Sequence, residues 1–142
     1  MNDLNLKVTK TISAPIEKVF DAWLDPEMLA RFILPMPGMP EPVVENEAKE
    51  GGRFSILMQV GENKIPHSGT YIEINRPEKL VFSWESPFSI DGSTVTLDFK
   101  RVEEQITEVI LTHVRFPDEE SRSDHEGGWG NILEKLMEIT SQ

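Results

Sequence analysis

Apolar side chains fall at even positions along the first stretch of this chain, at Leu4, Leu6, Val8 and Ile12, with polar residues between them. A period of two places one set of side chains on one face and predicts a half-buried strand. The period changes after Ser13-Ala14-Pro15. Ile16, Val19, Phe20, Trp23 and Leu24 follow at spacings of three and four, which predicts a short amphipathic helix. Ser13 is the expected N-cap, and Pro15 suits the first turn. Asp25-Pro26 restarts the pattern, with a second short helix from Pro26 to about Ile33 burying Met28, Leu29 and Phe32. Residues 35–42 hold four prolines and a glycine, a stiff and irregular connection. Its Met36 and Met39 either cover a core edge or line a binding site.

From residue 43 the pattern is that of a strand meander. Val43–Lys49 forms one expected strand, and Glu50-Gly51-Gly52 turns the chain. Arg53–Val60 alternates with Phe54, Ile56 and Met58 on one face, ahead of a hairpin tip at 61–64. His67–Ile74 and then Leu80, Phe82 and Trp84 mark two further strands, separated by a turn at 75–78. After a loop at 86–92 come Val95, Leu97 and Phe99, a polar turn at 102–105, and a last strand from Ile106 to Val114. Short connections between alternating segments imply antiparallel pairing. A long helix then begins near Pro117, with Trp129, Ile132, Leu133, Leu136 and Ile139 or Thr140 as its apolar stripe. Asp118, Glu119, Glu120, Asp124 and Glu126 crowd its front, where negative charge complements the helix dipole. The order predicts an α+β fold in which the last helix covers one apolar sheet face.

Composition narrows the function. The 142 residues suit a single domain over 1–142. The net charge of −11 has no basic stripe to offset it, which disfavours nucleic acid and anionic membrane surfaces as partners. There is no cysteine, so disulfides, thiol catalysis and thiolate metal sites are excluded. The first residues lack a signal-peptide core, and no apolar run approaches the ~18 residues of a membrane span, so a cytoplasmic protein is expected.

Four stretches, taken together and in order, carry a family resemblance. They are 12–23 (ISAPIEKVFDAW) with Asp25-Pro26-Glu27; Gly51-Gly52-Arg53-Phe54; 67–74 (HSGTYIEI) running on to 77–84 (PEKLVFSW); and 107–113 (TEVILTH) leading to Gly128-Trp129 and 133–136 (LEKL). The chain resembles the START-like (SRPBCC) superfamily. It is most similar there to proteins sharing the C-terminal domain of the activator of the heat-shock-protein ATPase. The resemblance spans about residues 6–140. It implies a helix-grip fold: a curved antiparallel sheet of about six to seven strands wrapped around a long C-terminal helix, with two short helices after the first strand. The chain leaves no room for the separate N-terminal domain that the co-chaperone uses, so its activity is not transferred.

The resemblance also implies a cavity between sheet and helix that takes small apolar molecules. Alternation and the helix stripe supply its candidate lining: Phe54, Ile56, Met58, Phe82, Trp84, Leu97, Phe99, Leu111, His113, Trp129 and Leu133. The same residues would serve as plain core, because apolar pockets and cores share a composition. His113 shares a strand face with Val109 and Leu111, near the expected cavity mouth. It would orient a ligand or be the acid/base group of an enzyme, or else a histidine satisfied by a backbone group or a carboxylate. His67 is expected at an exposed strand start, and His125 on the solvent side of the last helix. His125-Glu126 lacks a second histidine at 129, so no metal site is expected. No cofactor is called for, and no G-x-S-x-G nucleophile turn is present. Glu85 and Asp98 oppose the apolar faces of their strands. Gly127, Gly128 and Gly130 surround Trp129, where they would let the helix approach the sheet closely or leave volume beside the indole.

The leading expectation is a non-enzymatic binding protein for an apolar or aromatic small molecule. A cyclase- or aromatase-like enzyme using the same cavity is the alternative. A module binding a chaperone or regulator is the third reading. An exposed apolar strand edge would allow a homodimer.

Overall fold

The structure, a computed structural model, describes residues 4–36, 38–87 and 89–140. Pro37 of the proline-rich connection and Phe88 of the 86–92 loop lie outside the described residues. The elements are β1 (Asn5–Ile12), α1 (Ile16–Ala22), α2 (Pro26–Phe32), β2 (Val43–Asn46), β3 (Arg53–Val60), β4 (Asn63–Asn75), β5 (Lys79–Ser83), β6 (Thr94–Glu103), β7 (Ile106–Val114) and α3 (Glu119–Thr140). The seven strands form one antiparallel sheet in the order β1-β7-β6-β5-β4-β3-β2. This is the α+β arrangement expected from the sequence: a curved sheet, a long C-terminal helix, and two short helices after the first strand.

Local chemistry explains most boundaries. Ser13 does not cap α1, contrary to expectation: it is exposed, Pro15 holds the N-cap position, and no side chain bonds the first turn. The Thr107 hydroxyl instead fixes this corner by donating to the Ala14 carbonyl at 2.8 Å. Asp25 caps α2, its Oδ1 accepting from the backbone N–H of Glu27 at 3.0 Å. β2 ends at Asn46, earlier than expected. Asn46 Nδ2 leaves the strand to donate to the Leu24 carbonyl and the Tyr71 hydroxyl, at 2.9 and 3.0 Å. Gly51, at φ +83°, then turns the chain.

β4 is longer than its apolar alternation implies and carries the sheet's bend. Its first part pairs with β3 and its last part with β5, with a register shift between Tyr71 and Glu73. A Cβ at Gly69 would lie 2.0 Å from the Ser83 carbonyl oxygen and 2.5 Å from Phe54 Cζ. Only glycine fits where strand and ring approach so closely.

The core lies between the concave sheet face and the helices. Phe20 of α1 meets Phe99 of β6 edge-on, with ring centroids 5.1 Å apart. α3 packs on β1 and α2, and Leu133 and Leu136 are wholly buried. Its apolar stripe is the predicted one, with Trp129, Ile132, Leu133, Leu136, Ile139 and Thr140 all buried. Among the described residues, no helix is long and apolar enough to cross a membrane.

Candidate functional site

The space between sheet and helix is filled along most of α3 and open at its N-terminal half. There a groove of about 480 Å³ runs between α3 and the β3–β4 hairpin. Met58 and Val60 of β3, Ile65 and His67 of β4, and Trp84 just beyond β5 form the sheet wall. His125, Gly127, Gly128, Trp129 and Ile132 form the helix wall, with Pro35 and Met36 at one end and Ser123, Asp124 and Asn131 at the rim. A second, much smaller void of about 10 Å³ lies deeper, among Trp23, Leu29, Ile33, Phe54, Ile56, Tyr71, Phe82 and Trp84. Trp84 borders both spaces.

The glycines create the groove's helix wall. A Cβ at Gly127 would meet nothing within 4 Å, so any longer side chain there projects into open volume. Gly128 is a close-approach position, but the neighbour is not the sheet. A Cβ there would lie 3.1 Å from Pro35 Cβ, in the connection between α2 and β2. Asn131 Nδ2 holds that same connection by donating to the Pro35 carbonyl at 2.8 Å. Gly130 also has open space around it, though it does not line the groove.

Behind Trp129 sits a closed polar relay. The indole Nε1–H of Trp129 donates to His113 Nδ1 at 3.0 Å. An indole only donates, so Nδ1 carries no proton, and in the neutral ring Nε2–H donates to the Ser93 hydroxyl at 2.7 Å. His113 is fully buried, and burial pushes its pKa down to about 3, with the nearby His125 acting in the same direction. It therefore stays neutral, satisfied and shielded from the groove. The histidine is satisfied, but by an indole and a serine hydroxyl rather than by the backbone group or carboxylate expected, and it does not line the groove. Its partner Ser93 carried no apolar-face signal in the sequence.

Two other histidines face the groove instead. His67 is half-buried in mid-strand rather than exposed at a strand start, because β4 begins at Asn63. Its ring lies 5.1 Å from that of Trp84, and burial pulls its pKa to about 4. His125 is half-buried rather than on the solvent side. Its ring lies 5.4 Å from His113 and 5.1 Å from Phe116, and its Nδ1 lies 2.8 Å from the Ser121 carbonyl oxygen. Both had a readable signal. Ile65, His67, Gly69 and Tyr71 share one period-two face, and His125 precedes Trp129 by one helical turn.

Of the residues expected to line a cavity, Met58, Trp84 and Trp129 border the groove. Phe54, Ile56 and Phe82 border the inner void with Trp84. Leu97, Phe99, Leu111, His113 and Leu133 border neither and pack the core. Glu85 is exposed and held by Arg53 through two hydrogen bonds of 3.0 and 3.1 Å, which lower its pKa. Among the described residues, no three His, Asp or Glu side chains cluster in a metal-binding arrangement.

Comparison with known proteins gives the geometry a context. The family model described as Activator of Hsp90 ATPase homolog 1-like protein matches residues 13–141. No curated protein matches. A Chromobacterium violaceum protein superposes with a TM-score of 0.80 at 21% identity, over 97% of this chain and 98% of that one. A Plasmodium falciparum protein described as an HSP90 activator superposes with a TM-score of 0.76 at 27% identity, over 96% and 95%. A Cytophaga hutchinsonii protein gives a TM-score of 0.75 at 27% identity, over 98% and 95%.

Proposed function

The chain belongs to the family of Activator of Hsp90 ATPase homolog 1-like proteins, and from that premise we propose that it holds an apolar or aromatic small molecule in the groove between α3 and the β3–β4 hairpin. One observation carries the reading. The groove's 480 Å³ falls within the range of small-molecule sites, and its walls are mostly apolar with a few polar groups. Trp84, Trp129, Met58 and Ile132 supply buried apolar surface, while His67, Asp124 and Asn131 supply orientation. His113, the acid/base group expected of an enzyme, is locked behind Trp129 and does not line the groove, so binding rather than turnover fits the site.

Calorimetric titration with N-phenylnaphthylamine, a neutral aromatic probe, tests this. Binding to the native chain should fall at least about tenfold in Gly127→Leu, which adds bulk at a groove-lining position with open space around it, with the fold intact. Equal binding by both chains would remove the groove from the account.

A second reading has one observation of its own. The Plasmodium protein described as an HSP90 activator is matched over 95% of its chain at 27% identity. A domain of this size alone is thus compatible with a chaperone partner. Pull-down of Hsp90 at low and moderate salt would test it, because an acidic chain of net charge −11 should bind through salt-sensitive contacts.

A further inference from the structure

Two buried indole donors have no acceptor. Trp23 and Trp84 are 2% and 4% exposed, and neither Nε1–H has a hydrogen-bond partner among the described residues. Both rings border the same small void, and Trp84 also borders the groove. Burying a donor without an acceptor is costly, and most buried donors are paired. The third tryptophan obeys that rule, since Trp129 donates to His113. A third buried atom without a partner, His67 Nδ1, belongs to a groove-lining ring 5.1 Å from that of Trp84, so the unpaired atoms gather around Trp84, where the inner void meets the groove.

The groove's charges point the same way. Among the described residues that line it, Asp124 is the one acidic side chain and there is no lysine or arginine. A ligand carboxylate would enter without a counter-ion, in a chain of net charge −11. An indole N–H donates and cannot accept, so it suits an oxygen acceptor such as a carbonyl or ether. The inner void of about 10 Å³ is the size of a single oxygen-sized group.

We propose that the groove selects uncharged aromatic or apolar molecules bearing a carbonyl-type oxygen, and that the Trp84 indole N–H is the donor that anchors that oxygen, with Trp23 beside it. This deepens the binding reading above and rests on it. Trp84 is a specificity-determining residue on this account, and its ring alone is not enough.

The test compares acetylnaphthalene, ethylnaphthalene and naphthoate by calorimetric titration of the full chain and of Trp84→Phe, which keeps an aromatic ring and removes the donor. The native chain should bind acetylnaphthalene about tenfold tighter than ethylnaphthalene, the effect of satisfying one buried donor, with naphthoate weakest. In Trp84→Phe that preference should fall to about one. Equal binding of ketone and hydrocarbon by the native chain, an unchanged preference in Trp84→Phe, or tightest binding of naphthoate would each overturn the inference while leaving the groove reading standing. If none of the three binds, the groove reading falls and takes the inference with it. Should Trp84→Phe fail to fold, the Trp84 indole proton of the native chain serves instead. Its NMR resonance should shift downfield with acetylnaphthalene and not with ethylnaphthalene; the same shift with both would overturn the proposal.

Discussion

The two halves of α3 lie on the same sheet and do opposite things. From Leu133 to Thr140 the helix presents branched side chains to the sheet, Leu133 and Leu136 are wholly buried, and the space beneath them is filled. From His125 to Trp129 it presents two groove-lining glycines and one indole, and the space beneath stays open. Backbone geometry is helical throughout, and the open half carries groove-lining glycines where the closed half carries branched side chains. A glycine in a helix interior costs roughly 1 kcal/mol relative to alanine. The N-terminal half accepts that cost at a place where open volume is the result.

The largest effect should come from the closed half. Leu136→Ala removes a fully buried side chain and should lower unfolding free energy by about 2–5 kcal/mol in a denaturant titration. The relay at the junction comes next. His113→Phe keeps the ring volume but leaves the Trp129 N–H and the Ser93 hydroxyl without their partner, for a loss of about 2–3 kcal/mol. A loss well under 1 kcal/mol would mean the relay does not hold the junction.

Acid should act on the same junction. Burial holds the folded pKa of His113 at about 3, below the ordinary histidine value of 6.5. Between those values the unfolded chain binds a proton that the folded chain refuses. Stability from this group is therefore full above about pH 6.5 and declines as pH falls toward 3, at up to about 1.4 kcal/mol per pH unit. His67, with a folded pKa of about 4, adds in the same direction. Denaturant midpoints between pH 7 and 5 should fall in the native chain and fall less steeply in His113→Phe, where the His67 contribution remains. That window lies above the range where Asp21, Glu85 and Glu119, whose pKa values their arginine partners lower, begin to lose charge.

The open half should respond with the opposite sign. Gly127→Ala meets nothing within 4 Å and should raise stability by up to about 1 kcal/mol while narrowing the groove. If it destabilised instead, the volume beside it would not be free. The smallest effect belongs to the exposed Arg53–Glu85 pair, where Arg53→Ala should move the denaturant midpoint least, and not at all in high salt.

The same contrast marks what was legible in the sequence. Periodicity reads faces, so the strand faces of Phe54, Ile56 and Met58, the α3 stripe and the element order were all readable. Periodicity does not read depth. Leu97, Leu111 and Leu133 carry the same apolar signal as Met58 and Trp129, yet only the latter pair meets open volume. His67 was misplaced because β4 continues through the polar residues Asn63 and Lys64, which a hairpin tip and a strand use equally well. His113 was placed on the correct face, but its pairing with Ser93 joins β7 to the residue just before β6, a contact that depends on strand order rather than local pattern.

On the proposed function, ligand sits at the junction between the closed core and the open groove. An NMR titration with N-phenylnaphthylamine tests that most directly. The account predicts saturable shifts at Met58, His67, Gly127, Gly128 and the Trp84 and Trp129 indoles, with Leu97, Leu111 and Leu136 nearly unmoved. Shifts confined to the opposite sheet face around Lys7, Lys79 and Lys100, or none at saturating probe, would contradict it.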